Sequence, residues 1–558
     1  MKRTLILSLL ASAAVLSLSA QGFKDGVEYY RADQPEEAEI IINNNINDAG
    51  TDKATAYYYL GQIALQRKNT AKAQEFFNKG IQADEKNGYN YVGLGTLALM
   101  NGNASEADKE FKLAKKNAKK NADIITEIAR AYYNADPVKY AKDITKYVAD
   151  AKKADKTSPS PFILEGDMLA KTNVGDAAGY YEMAATFDQE QAHPEAYVKY
   201  ARTYFQVNPE FAINKLNELL ALQPNSALAQ RELAEKYYDN NQLTMAAEQY
   251  GKYIQNPNSF KRDKQRYAGL LFFAKKYNES YDVANQILQS DPTNFYMQRI
   301  KFYDKKALGE KDAALADAEA LFANPKAELN SQDYLQYGDL LTEVDRNDDA
   351  IVAYESALKI APDKIDLYKS ISDAYYNKKD FVKAAENLQT YVDKMREKIA
   401  KEEEAHKTNP DIEVEQLNVN DLFNLSRFYM SIAQQNMGED GDQALFNTAI
   451  AKGRALIDEV AAINRHPSVL NSRSDLLRLA NKGAVNQEVA DADLETLKEL
   501  DSDPSNLEKR KAMYRGIYLR LGEYYQKQKD IAQAKEYYEK AYSVDPMPEL
   551  RTFIDKLK

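Results

Sequence analysis

The sequence of 558 residues contains no cysteine, no tryptophan and only three histidines. Without cysteine the chain forms no disulfide and lacks a main class of transition-metal ligand. His193, His406 and His466 lie far apart, and His193 and His466 stand directly before prolines, as is typical of turns between helices. We therefore expect no metal site and no cofactor, and a surface position for the turn histidines.

Motifs of catalysis are also missing. There is no glycine-rich phosphate loop, and no serine or threonine stands in the context of a nucleophile elbow. Asp345, Asn347 and Asp349 are spaced like the start of a calcium loop. However, Ala350 stands where that loop needs glycine, and Ser356 stands where it needs a bidentate glutamate. We therefore expect no catalytic residues and no enzyme.

Long apolar runs are confined to the N-terminus. Lys2 and Arg3 precede an uncharged apolar run at 5–18, and the small residues Ser19 and Ala20 follow it. This order is typical of a secretory signal peptide, and the run is shorter than the roughly 20 residues of a spanning helix. We expect cleavage after Ala20 and export to the periplasm or beyond, in a Gram-negative bacterium. With no cysteine to acylate, we expect neither a lipoprotein nor a permanent membrane anchor.

The composition is that of a folded, acidic protein. Hydrophobic residues make up 44% and charged residues 28%, and the formal net charge is -11. An acidic surface argues against nucleic acid as a partner. Single cores stop growing near about 250–300 residues, so the length predicts several domains or a repeat array.

One pattern recurs along the chain with a period of 34 residues. Tyr57, Leu60, Gly61, Ala73 and Phe77 are followed at that distance by Tyr91, Leu94, Gly95, Ala107 and Phe111. It returns as Tyr334, Tyr337, Gly338, Ala350, Tyr354, Ala357 and Pro362, and as Tyr518, Leu521, Gly522, Tyr525, Ala534, Tyr538, Ala541 and Pro546. Small residues at fixed positions let paired helices approach closely, and the aromatic residues fill the space between them.

These residues resemble the tetratricopeptide repeat (TPR), a helix-turn-helix unit of two antiparallel helices. The resemblance implies an all-α fold, an α-solenoid in which the repeats stack into a right-handed superhelix. After a signal peptide at 1–20, we expect an N-terminal array at 21–398 and a charged helix extension and hinge at 399–420. A C-terminal helical array at 421–558 follows, and its last segment is a capping helix.

Two details of the hinge segment are predicted from local chemistry. Glu397 and Lys401 stand four residues apart and suit an ion pair on a solvated helix. The helix should then break at 408–411, where the sequence is Thr-Asn-Pro-Asp.

Tyrosine is unusually frequent, at 40 residues. Adjacent aromatic residues on a helix cannot share a face, so where the first is buried the second points elsewhere. We expect the second member of each of four doublets to face the concave groove, with polar neighbours on the same helices. The predicted partner-binding residues are Tyr133, Phe205, Arg231, Glu235, Tyr238, Lys369, Asp373 and Tyr376.

The resemblance implies an interaction scaffold that binds protein or peptide partners of the cell envelope in its concave groove. The alternative is a nutrient- or glycan-capture accessory of an outer-membrane import system. The absence of a lipidation cysteine and of tryptophan for sugar stacking argues against this alternative.

Overall fold

A computed structural model describes residues 23–188 and 192–557 of the chain. The predicted signal peptide and its cleavage site lie outside these residues. The described residues form α-helices and no strand. They divide into two compact units, Met1–Asp304 and Lys305–Lys558, and the division falls within one helix. The predicted all-α solenoid of stacked helix pairs is therefore confirmed.

The helices beginning in unit 1 are α1 (23–31), α2 (Pro35–Asn45), α3 (Lys53–Gln66), α4 (Thr70–Ala83), α5 (Gly88–Met100), α6 (Ala104–Ala118), α7 (Ala122–Ala135), α8 (Ala141–Ala154), α9 (Ser160–Leu169), α10 (Val174–Phe187), α11 (Glu195–Tyr204), α12 (Pro209–Leu222), α13 (Ala227–Asp239), α14 (Leu243–Ile254), α15 (Asp263–Phe273), α16 (Tyr277–Ser290) and α17 (Phe295–Ala307).

The helices beginning in unit 2 are α18 (Lys311–Phe322), α19 (Ser331–Glu343), α20 (Asn347–Ile360), α21 (Asp366–Asn377), α22 (Phe381–Thr408), α23 (Val419–Gln435), α24 (Gln443–Ile463), α25 (Pro467–Ala480), α26 (Gln487–Leu500), α27 (Asn506–Lys509), α28 (Lys511–Lys527), α29 (Ile531–Val544) and α30 (Pro548–Lys556).

Local sequence sets where many of these helices begin. Asn69, Asn87, Asn103 and Asn121 precede α4, α5, α6 and α7, and each side chain accepts a hydrogen bond from a backbone amide of the first turn. Asparagine at this position satisfies an amide that has no partner within the helix. These caps therefore fix the residues at which the helices begin.

The two helices of a repeat meet at a glycine in the first helix. A β-carbon on Gly522 would lie 2.6 Å from the ring of Tyr538, sixteen residues later. Gly61 and Gly338 stand against Phe77 and Tyr354 in the same way. Any other residue would push the aromatic ring out of its place, so the spacing seen in the sequence is a packing requirement.

The same hairpin is already present at α1 and α2, although the sequence there does not show the full pattern. A β-carbon on Gly26 would lie 2.7 Å from Ile42, again sixteen residues later, and Ala38 is fully buried between them. Asp33, seven residues after the glycine, has a φ of 60°. Lys68, seven residues after Gly61, has a φ of 59°. Among the described residues, the first repeat is therefore the hairpin of α1 and α2.

Unit 2 contains the predicted charged extension. Helix α22 ends at Thr408 with Asn409 as its cap, so the predicted break is confirmed, and Lys401 Nζ lies 2.6 Å from Glu397 Oε1. Helices α22 and α23, on either side of the predicted hinge, share one apolar core. The hinge and the arrays it would separate stay predictions, since the compact units divide elsewhere.

The chain closes with α30, which buries Leu550 and Ile554 against the preceding repeat and leaves Phe553 exposed. This is the capping helix that the sequence predicts. Across the described residues, no helix is long and apolar enough to cross a membrane.

Candidate functional site

Helix α1 lies against the first helices of repeats that are far away in sequence. Arg31 Nε donates to the hydroxyl of Tyr59 on α3 at 2.9 Å. Lys199 Nζ on α11 donates to Asp33 at 2.6 Å. The ring of Tyr29 is fully buried and meets the edge of Phe260, with 5.7 Å between ring centroids. We call the surface formed by these first helices the inner face of unit 1, and α1 covers part of it.

Helix α2 continues this contact onto α13 and α15. Gln34 Nε2 donates to Glu232 at 2.9 Å, and Arg231 Nη1 donates to Gln34 Oε1 at 3.1 Å. Glu37 pairs with Arg262 at 2.5 Å and lies 3.8 Å from Arg231. The inner face is thus not an open groove along its full length, because the first repeat of the same chain fills part of it.

The position of His193 differs from the one that the sequence predicts. Predicted to lie at the surface, it is buried beneath α1, with Nδ1 2.8 Å from Glu195 and Nε2 3.2 Å from Asp123. The carboxylate of Asp188 accepts hydrogen bonds from the amides of Ala192 and His193. The position of the His193 side chain depends on tertiary contacts with α1. The position of a proline in the sequence gives no information about such contacts.

The charges in this cluster fix its protonation state. Burial favours the neutral imidazole, but Glu195 and Asp123 outweigh that effect and raise the pKa of His193 to about 10. Burial likewise opposes ionisation of Asp123 and Glu195, yet His193 and Arg31 hold the pKa values of both carboxyls below their usual range. The cluster is therefore ionised at neutral pH and binds α1 to the inner face.

A polar cavity of about 680 Å³ remains beside the turn between α1 and α2. We call it the interior cavity. Residues of α1, α3, α7, α9 and α11 line it, including Tyr59, Arg130, Tyr133, Asp167 and Lys199. No group of three potential metal ligands is found among the described residues.

A second feature lies on the first helices beyond the reach of α2. Arg266 on α15 places its guanidinium carbon 4.2 Å from the ring centroid of Tyr238 on α13 and forms two hydrogen bonds with Glu235. Phe273, 47% exposed, lies 6.1 Å from Tyr238 between ring centroids. The predicted residues Tyr238 and Glu235 thus contact Arg266, which was not among the predicted residues.

The surface extends from α15 to α17. Arg266, Tyr296 and Arg299 line an open cavity of about 320 Å³, and Tyr296 is 52% exposed. Gly269 lies between Arg266 and Phe273 on α15, and a β-carbon there would meet no atom within 4 Å. We call this feature the aromatic-arginine surface; it consists of Tyr238, Arg266, Gly269, Phe273, Tyr296 and Arg299.

Tyr133 and Phe205 have different surroundings. Tyr133 is half-buried and stands between the interior cavity and an apolar cavity of about 420 Å³. Phe205 is only 6% exposed, with Lys236 Nζ 4.6 Å from its ring centroid. Phe205 keeps helical backbone geometry at the end of α11, and its ring belongs to the apolar core of unit 1. The expectation that Phe205 faces an open groove is therefore wrong.

The remaining predicted residues lie in unit 2, on α21. Lys369 Nζ is 2.5 Å from Asp421, whereas Asp373 is exposed. Tyr376 is 40% exposed and stacks on Phe428 at 4.9 Å. Partner binding by all eight predicted residues stays a prediction.

The fold defines a helical-repeat protein. The chain carries tetratricopeptide repeats: a family model described as "Tetratricopeptide repeat" matches residues 54–87, 334–364 and 516–546. These three segments are thus tetratricopeptide repeats, and such repeats support a role as a protein-interaction scaffold.

Solved structures of TPR proteins resemble the chain at low identity. The C-terminal part of a TPR repeat-containing protein from Cytophaga hutchinsonii is 18% identical, and the match covers 53% of this chain and 99% of that one with a TM-score of 0.38. Yeast Tom70 is 13% identical, with 87% and 99% covered and a TM-score of 0.27. Among curated proteins, no sequence matches significantly.

Proposed function

We propose that the protein is an exported scaffold that binds a protein or peptide partner on the aromatic-arginine surface of unit 1. The observation that carries the proposal is the position of this surface. It lies on the first helices of the repeats, where Arg266 and the exposed rings of Phe273 and Tyr296 remain uncovered by α1 and α2.

The chemistry of the surface suits a protein partner. Aromatic and arginine side chains dominate binding hot spots, because they bury large areas with few rotatable bonds. Arg266 is held by Glu235 and Tyr238 before any partner arrives, so little side-chain entropy is lost on binding. The open space at Gly269 admits a partner side chain between Arg266 and Phe273.

Export is the second element of the proposal. The basic residues Lys2 and Arg3, the apolar run at 5–18 and the small residues at 19–20 support it. Partners are accordingly sought in the cell envelope. Fractionation of the producing cell, with the mass of the mature chain measured, tests this element: an uncleaved chain in the cytoplasm would contradict it.

Binding is tested by crosslinking and capture from the envelope with the mature chain, followed by mass spectrometry. The key variant is Gly269→Gln, which fills the open space with an uncharged side chain. It removes no contact, and replacing glycine within a helix raises stability by about 0.5–1 kcal/mol. We expect a captured protein to be lost from this variant while its thermal stability is kept or raised.

Two further variants locate the contact. Phe211→Ser changes a ring that is 55% exposed and lies outside the surface, so capture should persist. Tyr238→Ser should reduce capture, whereas Tyr376→Ser tests the predicted residue in unit 2. Capture that survives both Gly269→Gln and Tyr238→Ser would reject the aromatic-arginine surface as the binding site.

A further inference from the structure

Lysine is concentrated on the second helices of two neighbouring repeats. Eleven lysines lie between residues 112 and 156, on α6 and α8 and in the segments beside them. By contrast, α12 contains one lysine and α16 contains none, although both are also second helices. In a chain with a formal net charge of -11, these lysines form a basic patch on an otherwise acidic protein.

Helices α6 and α8 present their lysines on one surface. Lys115 Nζ of α6 lies 2.5 Å from the carboxylate of Asp150 on α8 and 5.7 Å from the ring centroid of Tyr147. Lys146 Nζ of α8 lies 4.9 Å from the same ring centroid. The two helices therefore contribute lysines to a single basic area.

The apolar cavity of about 420 Å³ lies along the other side of α8. Ile144 and Val148 of α8 and Met168 of α9 line this cavity. Thr145 and Ala149 line it as well, and both are small and exposed, so the cavity is open at the surface. It can therefore receive apolar side chains that protrude from another molecule.

Three lysines of α8 stand between the basic area and this cavity. Lys142, Lys146 and Lys153 are exposed, and each lies within one helical turn of a small residue that lines the cavity. None of the three forms an ion pair with a described residue, whereas Lys152 at the cavity pairs with Glu165 at 2.6 Å. We call these three residues the lysine ridge; their charges are available to a partner.

The ridge and the cavity together select one kind of partner. Because the apolar surface is concave, it receives side chains from a partner, whereas a protein enters a bilayer with protruding apolar side chains of its own. Nucleic acid would contact the lysines through its phosphates and leave the cavity empty. An acidic protein segment uses both features, since its carboxylates pair with the ridge and its apolar side chains fill the cavity.

We infer that the lysine ridge and the apolar cavity beside it bind an acidic, amphipathic segment of a partner protein. Tyr133, one of the predicted partner-binding residues, lines this cavity. The site shares no residue with the aromatic-arginine surface, so either proposal can fail without the other.

Site-specific photocrosslinking identifies the occupant in the producing cell. A photoreactive phenylalanine analogue takes the place of Thr145 at the cavity, and mass spectrometry identifies what it captures. We expect a protein segment with several carboxylates among apolar residues at helical spacing. The same analogue in place of Phe211, which is 55% exposed and lies outside the cavity, should not capture this segment.

Calorimetry with the unmodified chain measures the affinity for a model peptide. The peptide is as long as α8, 14 residues, with leucines at helical spacing and glutamates elsewhere. The same peptide with glutamine in place of leucine should bind about fivefold more weakly or worse, because nothing apolar enters the cavity. Vesicles of phosphatidylglycerol test the lipid alternative and should not compete with the peptide.

Substitutions separate the cavity from the ridge. Ala149→Gln fills the cavity and keeps every lysine, so the peptide should bind about fivefold more weakly while the thermal stability is unchanged. Lys142→Gln, Lys146→Gln and Lys153→Gln together should weaken binding about tenfold, since three exposed ion pairs are lost. The matched control, with an effect below about twofold, neutralises three exposed lysines elsewhere in unit 1: Lys53→Gln, Lys72→Gln and Lys86→Gln.

The inference is overturned if position 145 captures only lipid or nucleic acid, or captures nothing. It is equally overturned if the two peptides bind alike, if vesicles displace the peptide, if Ala149→Gln leaves binding unchanged, or if the ridge and control substitutions have the same effect.

Discussion

The two units are built from the same hairpin, but the contacts that stabilise each unit span different distances along the chain. In unit 1, one apolar cluster runs from Phe23 to Leu271, and the first repeat adds ion pairs such as Lys199 with Asp33, 166 residues apart. In unit 2, the apolar clusters are local and cover 341–374, 384–476, 477–524 and 534–554. Its buried pair of Arg520 with Asp493 spans only 27 residues.

This difference teaches how a repeat array gains long-range order. When each repeat contacts only its neighbours, the array is stabilised by local contacts, and single repeats can unfold locally. In unit 1 the first repeat contacts many later ones, so their opening is coupled through α1. We therefore expect unit 1 to unfold as one cooperative block and unit 2 to open in segments.

The largest expected effect is the loss of Arg31. This side chain, 20% exposed, donates to Tyr59 and lies 3.7 Å from both Asp123 and Glu195. Arg31→Ala leaves buried carboxylates with less compensation, which costs about 3–5 kcal/mol. Hydrogen exchange should show faster exchange throughout unit 1 and unchanged exchange in unit 2.

The matched control is Arg346→Ala in unit 2. Arg346 also pairs with two carboxylates, Glu319 and Asp349, but it is 40% exposed. Its loss should cost at most about 1 kcal/mol. Equal effects of the two substitutions, or exchange changes confined to α1 in Arg31→Ala, would contradict the coupling of repeats through α1.

The second prediction concerns pH. His193 has a pKa raised from 6.5 to about 10 in the folded protein. Because the pKa is raised on folding, protonated His193 stabilises the folded protein fully below pH 6.5. This stabilisation is lost as the pH rises through about 10. Between these values the free energy of unfolding of unit 1 should fall by up to about 1.4 kcal/mol per pH unit.

His193→Gln supplies the comparison for this prediction, because glutamine does not titrate. Denaturant unfolding of both proteins from pH 6 to pH 10 measures the difference in slope. Parallel curves would show that the imidazole is neutral in the folded protein. Unit 2 should keep its own pH dependence in both proteins.

Much of the fold could be predicted because it depends on short-range packing. The glycine at Gly61 and the ring of Phe77 must meet within one hairpin, so their spacing is visible in the sequence. The break after Thr408 and the pair of Glu397 with Lys401 follow from local chemistry in the same way. Tyr238 was found through its doublet, although its partners Arg266 and Phe273 were not.

What the sequence does not reveal depends on contacts between distant residues. The hairpin of α1 and α2 lacks the aromatic residue of the pattern and has Ile42 instead. Its glycine and Ala38 are nevertheless in the usual positions, and these were the available signal. The burial of His193 depends on α1, about 160 residues earlier, and no local pattern encodes it. Phe205 was misplaced because its ring is covered by neighbouring helices, including Lys236 of α13, and the spacing of residues along one helix does not report such contacts.

The smallest expected effect comes from the extension of α22. Lys401 and Glu397 are 74% and 65% exposed, and they lie one helical turn apart. Lys401→Ala should leave the free energy of unfolding of unit 2 nearly unchanged, and 1 M salt should abolish any small change because screening acts on exposed charges. The same salt should leave most of the effect of Arg31→Ala, since buried pairs are screened much less. If salt removed both effects alike, burial of the charges under α1 would not explain the cohesion of unit 1.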